Sequence, residues 1–173
     1  GQDFLFEQIK DSLPHPWLLG LLGNTLGNLD IGAETFLRRI AQHMRSGDEL
    51  LLDVTTATAP WEFEPYHRYF QSPVRRQFIA QGIARQLGQN PQEIMNRFES
   101  RICAKPANAP NYAQQQLIYD KETGKLGLTL RVYYFEKFRE WIAKERLFDE
   151  RFASEYAFEG TSFGAGLIRL ARR

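Results

Sequence analysis

The chain has 173 residues, of which 43% are hydrophobic and 25% are charged. This is the ordinary mixture of a globular protein, and the length suffices for one domain with a sizeable core. The formal net charge of +1 argues against nucleic acid and against acidic membranes as partners.

Cysteine and histidine usage gives no sign of a disulfide or a metal site. Cys103 is the only cysteine, and the three histidines lack the short spacing of metal ligands. No apolar run reaches about 18 residues, and no basic-then-apolar leader opens the chain. We therefore expect a cytoplasmic protein with no metal and no membrane partner.

The first predicted strand ends in a bend rich in glycine and asparagine. Apolar residues at helical spacing between Phe4 and Leu13 predict a helix, which Pro14 ends. Trp17–Leu22 then reads as a buried strand, followed by Gly23–Asn28, with the sequence GNTLGN. Glycine lets the backbone approach another group closely, and asparagine and threonine supply uncharged hydrogen-bonding groups. Ligands of open α/β sheets bind at such strand ends.

A helix and a second strand follow this bend. Asp30 is a plausible N-cap for a helix that Gly47 ends, and Glu49–Val54 predicts a nearly continuous apolar strand. The helix carries five apolar residues on one face: Ala33, Phe36, Leu37, Ile40 and Met44. A strand, a helix and a strand of these lengths predict a βαβ unit with parallel strands and a right-handed crossover.

The middle of the chain, roughly 60–112, interrupts this order and is a candidate lid inserted in a single domain that spans residues 1–173. It opens with the aromatic stretch Trp61–Phe70. A helix starting at Ser72 follows, with Val74, Phe78, Ile83 and Leu87 expected to face inward. A second helix begins near Asn90, and Phe98–Ala104 alternates as a strand does.

The last part of the chain predicts two hairpins around a helix. Residues 114–119 and 125–135 flank a KETG turn, and the second strand places Leu126, Leu128, Leu130 and Val132 on its expected buried face. A helix with Phe138, Trp141 and Ile142 follows. Two further strands, Arg151–Phe158 and Phe163–Leu170, end the chain.

The segment WLLGLLGNTLGNL, followed by a helix and DELLLDV, resembles the fourth strand, helix and fifth strand of class I S-adenosylmethionine-dependent methyltransferases. The GNTLGN turn is similar to that of the histidine-specific methyltransferase family, and the chain end resembles the terminal antiparallel hairpin of that fold. The resemblance implies an α/β fold, namely a partial Rossmann-like methyltransferase sheet of strands four to seven with an inserted helical and hairpin lid.

The same resemblance implies roles for particular residues. Gly23 and Thr25 would lie near the cofactor, S-adenosylmethionine, and Asn28 would hold the substrate, a small amino acid or amine. A tyrosine of the family's insertion contacts the substrate, and Tyr66 or Tyr69 would be its counterpart. The enzyme so implied would transfer a methyl group to a small amine or amino acid.

Several family features have no counterpart in the chain. The glycine-rich G-x-G-x-G turn is absent, since Gly164 and Gly166 lie at the wrong end, and Thr55 stands where the family has an aspartate. The family's glutamate and serine pair finds no match in Thr129–Phe138. Counting strands back from the bend, the first three would precede Gly1, so the chain is expected to be the carboxyl-terminal half of a methyltransferase.

Other interpretations remain open. GNTLGN can be a plain strand-to-helix turn, and the Trp61–Phe70 aromatics can be core packing under a lid as well as a cage for a cation. A non-catalytic interaction module would cover the apolar edge at Leu18–Leu22 with the missing N-terminal half or a homodimer partner. Scattered arginines and aromatics favour an RNA-binding role only weakly.

Overall fold

The computed structural model describes residues 14–29, 31–57, 72–103 and 111–173, which form a mixed open sheet with helices packed against it. The strands run β3-β4-β5-β2-β7-β6 across the sheet, and β1 also pairs with β2. In chain order the elements are β1 (Leu18–Leu21), a 3-10 turn (Thr25–Asn28), α1 (Ala33–His43), β2 (Glu49–Ala57), α2 (Pro73–Leu87), α3 (Pro91–Arg97), β3 (Phe98–Cys103), β4 (Ala113–Asp120), β5 (Leu126–Tyr133), α4 (Phe135–Glu145), β6 (Phe148–Ala157) and β7 (Phe163–Arg172).

The predicted βαβ unit is confirmed, because β1 and β2 run parallel with Leu18 opposite Glu49 and Leu21 opposite Leu52. All five of the predicted apolar residues are buried, four of them in α1 and Met44 at its C-cap. Its N-cap is Gly32, two residues after the predicted Asp30, which lies outside the described residues. The helix Phe4–Leu13 and the aromatic stretch Trp61–Phe70 also lie outside them.

The prediction that the first strand is buried is wrong. Leu18 is 67% exposed and Leu22 is 59% exposed. β1 pairs with β2 on one side, and no other described strand pairs with it. An apolar run thus marks an edge strand here, because periodicity alone cannot tell how many neighbours a strand has.

A buried carboxylate fixes the start of this unit. Asp48 is fully buried and accepts hydrogen bonds from the Trp17 N–H at 2.7 Å and the Arg45 N–H at 2.6 Å, and His15 Nδ1 lies 2.8 Å from both carboxylate oxygens. Burial alone raises the pKa of Asp48, but the hydrogen bonds from Arg45, His15 and Trp17 outweigh burial and lower that pKa. Asp48 therefore ties the segment before β1 to the start of β2.

The C-terminal hairpin completes the α/β sheet in the order that the resemblance implies. β7 runs antiparallel to β2 from Glu49, opposite Ala171, to Ala57, opposite Phe163. β6 is antiparallel to β7 and so runs in the direction of β2. The antiparallel strand thus lies between two strands that share a direction, which confirms the predicted terminal antiparallel hairpin.

The β4–β5 hairpin is also confirmed, but its buried face was predicted incompletely. Thr129, Arg131 and Tyr133 alternate on β5 and are buried, whereas Leu128 and Leu130 on the opposite face are half-buried. Val132 is buried as predicted, and the Leu126 side chain lies outside the described set. Both faces of β5 are therefore covered, and the face that carries Thr129, Arg131 and Tyr133 is the more deeply buried one.

The orientation predicted for α2 is wrong at three positions. Val74, Phe78 and Leu87 are exposed, and Ala80 and Ala84 are the residues that pack against Ile94 of α3. Small alanine side chains let the two helices approach closely, and Ile83, the fourth residue predicted to face inward, packs against the same cluster. The predicted N-cap is confirmed, because Ser72 Oγ accepts from the Arg75 N–H at 3.2 Å.

The main core lies on one face of the sheet. Leu50, Leu52 and Val54 of β2 pack in one cluster with residues of α1 and α4. The opposite face, called here the outer face, carries Leu18, Leu51, Phe152, Tyr156 and Leu167, and all of these except Leu51 are exposed. No helix within the described ranges is long and apolar enough to cross a membrane.

Candidate functional site

The bend at Gly23–Asn28 reverses the chain directly after β1. Gly23 has φ 67° and Asn24 has φ 59°, the left-handed conformation that glycine and asparagine adopt most readily. The 3-10 turn Thr25–Asn28 follows and buries Leu26 and Gly27. These residue types therefore place a tight turn at the carboxyl end of a parallel strand.

Asn24 joins the bend to two neighbouring strands. Its Oδ1 accepts from the Thr55 N–H of β2 at 3.0 Å, and its Nδ2 donates to the Arg131 carbonyl of β5 at 3.2 Å. The Gly23 N–H donates to Asp53 Oδ2 at 2.9 Å, so Asp53 caps the turn. The bend is thus held at the carboxyl ends of β1 and β2 and against β5.

Gly27 is the residue that allows this close approach. A Cβ atom at Gly27 would lie 2.5 Å from the Asn24 side-chain amide atoms and 2.7 Å from the Arg131 carbonyl oxygen. Carbon atoms do not come so close to other heavy atoms without displacement. Glycine is therefore required here by space, since its φ is not left-handed.

The bend borders a cavity of about 600 Å³. One wall comes from the strand ends and the bend, another from α2, and a third from β5, and the lining residues are Asn24, Asn28, Thr55, Arg75, Phe78, Ile79, Gln81, Gly82, Ile83, Arg85, Leu128 and Leu130. This volume suits a small organic ligand. None of these lining residues is acidic, and two are arginines.

Only some of the predicted site residues lie at the cavity in the part of the chain that the structure describes. Asn28 lines the cavity. Gly23 and Thr25 are not among its lining residues, and Thr25 Oγ1 donates to the Leu22 carbonyl. Tyr66 and Tyr69 lie outside the described residues. The roles given to these residues stay predictions.

Sequence reasoning missed the arginines and leucines of the cavity wall. Arg75 and Arg85 lie on a helix whose outward face reads as solvated, and Leu128 and Leu130 read as ordinary core. A signal was present, because Pro73–Leu87 contains three arginines and no acidic residue.

A second group of polar side chains lies on the inner side of the bend. Arg131, Tyr133 and Tyr112 are buried, and the Tyr112 and Tyr133 rings stack with centroids 6.4 Å apart. Burial raises the pKa of Tyr133 and of Tyr112, and the nearby Glu34 carboxylate raises the pKa of Tyr112 further. Both phenols therefore stay protonated at neutral pH.

The chain has distant likenesses among solved structures. No family model and no curated protein matches the chain. A solved structure of an S-adenosylmethionine-dependent methyltransferase from Clostridium acetobutylicum matches 94% of this chain with 7% identity and a TM-score of 0.39. The chain spans 62% of the length of that protein. So distant a likeness carries no argument about function.

No cluster of metal-ligating side chains occurs among the described residues.

Proposed function

We propose that this chain forms the acceptor-binding side of an S-adenosylmethionine-dependent methyltransferase that acts on a small amino acid or amine. The observation that carries the proposal is the position of Asn24 and Asn28, which lie on a bend after a parallel strand and line the cavity of about 600 Å³. Ligands of α/β sheets bind at that end of the strands.

The described residues do not form a complete cofactor site. A nucleotide cofactor of such a fold needs a glycine-rich strand-to-helix turn and an acidic residue for its ribose hydroxyls. The cavity lining contains no acidic residue. The proposal therefore assigns this chain the acceptor, with Gly23 and Thr25 at the border toward a cofactor whose remaining contacts come from other residues.

The contribution of this chain to methyl transfer would be positioning. S-adenosylmethionine supplies an activated methyl group, and the acceptor nucleophile must be aligned with it, which lowers the barrier by proximity without a covalent intermediate. The Asn28 amide would orient the acceptor, and Leu128 and Leu130 would exclude water on one side. The segment 60–112, which includes α2 and Tyr66 and Tyr69, would close as a lid.

Equilibrium dialysis tests this proposal in two measurements. Labelled S-adenosylmethionine should bind the chain weakly or not at all, because the glycine-rich half of the site is not in the chain. A mixture of small amino acids and amines should contain at least one ligand whose binding falls about tenfold in Asn28→Ala and is unchanged in Asn90→Ala, an asparagine that caps α3. Tight one-to-one cofactor binding, or no acceptor binding, would overturn the proposal.

A second candidate function is association through the edge strand and the outer face. One side of β1 pairs with no described strand and its Leu18 is exposed, which makes it a strand edge of the kind that pairs with another chain. We propose that a second copy of the chain covers it. Sedimentation equilibrium should then give a dimer, and a well-behaved monomer at high concentration would exclude this function.

A further inference from the structure

Gly82 lies in the interior of helix α2 and lines the cavity. Glycine in a helix interior is less stable than alanine, so its presence there needs a physical explanation. The φ of Gly82 is not left-handed, and a Cβ atom at this position would meet no neighbouring heavy atom within 4 Å. Neither the backbone conformation nor close packing therefore requires glycine at this position.

What glycine does provide at position 82 is space in the cavity. Phe78 and Ile79 lie about one helical turn before Gly82 and line the same cavity. Arg85 lies about one turn after it and also lines the cavity. A side chain at position 82 would project between these residues, so glycine keeps the cavity-facing side of α2 open near its centre.

The walls beside this opening carry apolar surface that the protein does not cover. The large apolar lining residues all come from α2 and β5, and they are Phe78, Ile79, Ile83, Leu128 and Leu130. Phe78 is exposed and the other four are half-buried, whereas Leu50 and Leu52 of the main core are fully buried. An apolar group placed in the cavity would remove this remaining surface from water, which is favourable.

The bend and β2 contribute only polar residues to the cavity. These are Asn24, Asn28 and Thr55. The Asn24 amide already bonds to β2 and β5, whereas no described residue bonds to the Asn28 side chain. A ligand with a polar head at Asn28 and an apolar body along α2 and β5 matches both kinds of wall, which is the usual division in small-molecule sites.

We infer that the cavity takes a ligand with a bulky apolar group of about the size of a phenyl ring, which lies over Gly82 between α2 and β5. The inference deepens the proposed function, on which it rests for the polar head of the ligand. The acceptor is then an amino acid or amine with a large apolar side chain, and small polar acceptors are excluded. The cavity of about 600 Å³ has room for such a group.

Two pairs of probes isolate the apolar group, because the members of each pair differ by one phenyl ring. The pairs are L-phenylalanine with L-alanine and 2-phenylethylamine with ethylamine, titrated by calorimetry or by NMR. In at least one pair the phenyl member should bind about tenfold or more tightly, because the ring is removed from water. Equal binding within both pairs, or no binding of either phenyl probe, would overturn the inference.

Gly82→Leu tests whether the apolar group lies over α2. The new side chain fills the space at position 82, so the affinity for the phenyl probe should fall about tenfold and that for its small partner by less than about twofold. Gly82→Ala should give a smaller loss. Leucine is a better helix former than glycine, so the variant should be at least as stable as the wild type, which thermal denaturation checks.

Gln77→Leu is the matched control. Gln77 is an exposed residue of α2 that does not line the cavity, so this variant adds the same side chain to the same helix elsewhere. It should leave every affinity unchanged. A phenyl preference that survives in Gly82→Leu, or that falls equally in Gln77→Leu, would refute the assignment, and if Gly82→Leu does not fold, the wild-type ranking of the probes decides.

The outcomes separate this inference from the proposed function. A phenyl preference that is lost in Gly82→Leu and is insensitive to Asn28→Ala supports the apolar site and refutes the proposed acceptor site. Binding of L-alanine or ethylamine that depends on Asn28 and is as tight as that of the phenyl partner refutes the inference and leaves the proposed function standing. Displacement of L-phenylalanine by a lower concentration of adenosine would assign the apolar walls to the cofactor and overturn the inference.

Discussion

At the scale of single residues, the position of the cavity wall depends on how closely the bend approaches β5. Gly27 has no space for a side chain, since its Cβ would lie 2.7 Å from the Arg131 carbonyl oxygen. Asn24 then bonds to that same oxygen. The position of the cavity wall is thus set by one glycine and one asparagine.

Substituting Gly27 should therefore be costly. Gly27→Ala is expected to lower the free energy of unfolding by about 1–3 kcal/mol, because the new methyl group displaces Asn24 or β5. Urea denaturation measures this change.

The matched control is Gly82→Ala in α2, where a Cβ atom meets nothing within 4 Å. Alanine in a helix should raise the free energy of unfolding by about 0.5–1 kcal/mol. Equal effects of the two substitutions would contradict the close approach.

At the same scale, one residue that the sequence singled out lies at the cavity, and its role stays a prediction. Asn28 was predicted to face a ligand, and it lines the cavity. The burial of Arg131 could not be predicted, because Leu128, Leu130 and Val132 gave the alternation that assigned the buried face. A strand covered on both faces carries no hydrophobic signal that says which face is deeper.

At the scale of secondary-structure elements, Asp48 should make the start of the βαβ unit sensitive to acid. The folded-state pKa of Asp48 is below its ordinary value of about 3.9, so its contribution to stability is present above that pH and is lost as the pH falls. Asp48→Asn should cost about 2–3 kcal/mol at pH 7. This difference from wild type should shrink below about pH 4.

Denaturation of both proteins between pH 7 and pH 3 measures this effect. Asp149→Asn is the control, because Asp149 pairs with Arg173 at the surface and should change stability by less than about 0.5 kcal/mol. A cost for Asp48→Asn that is independent of pH would show that packing, and not the carboxylate charge, fixes this unit.

The exposed apolar residue of α2 that lines the cavity should contribute more to ligand binding than to stability. Phe78 is 76% exposed and lines the cavity, whereas Val74 is as exposed and does not line it. Phe78→Ser should leave stability within about 0.5 kcal/mol and weaken the binding of the amino acid or amine several-fold. Val74→Ser should leave both unchanged, and equal binding losses would contradict the position of α2 as a cavity wall.

The elements themselves were largely predictable from the sequence. The βαβ unit, both hairpins and the caps at Ser72 and Asn90 follow from local patterns, and all are confirmed. The buried face of α2 could not be predicted, because it is formed by Ala80 and Ala84, and a search for large apolar residues overlooks alanine. Helix packing depends on the partner as well as on the helix.

At the scale of the whole molecule, helices lie on both faces of the sheet. α1 and α4 share one core on the inner face. α2 lies over the outer face near the bend, where it lines the cavity together with Thr55, Leu128 and Leu130. The outer face stays exposed at Leu18 of β1 and at Phe152 and Tyr156 of β6.

The edge strand is the place to test this surface. Leu18→Lys should reduce self-association at least tenfold, because a charge on an exposed edge opposes strand pairing, while thermal stability changes little. Val74→Lys, at an equally exposed site on α2, should leave association unchanged. Sedimentation velocity over a range of concentrations measures both variants, and identical behaviour would exclude the β1 edge.

The central claim is that the Gly23–Asn28 bend and the end of β2 form a ligand-binding wall. An amide NMR titration with the amino acid or amine that dialysis identifies tests it most directly, since NMR detects even millimolar binding at individual residues. Shifts are expected at the amides of Asn24, Asn28 and Thr55, and Asn28→Ala should weaken the binding about tenfold. Shifts confined to the outer face, or a bend that stays unperturbed at saturating probe, would contradict it.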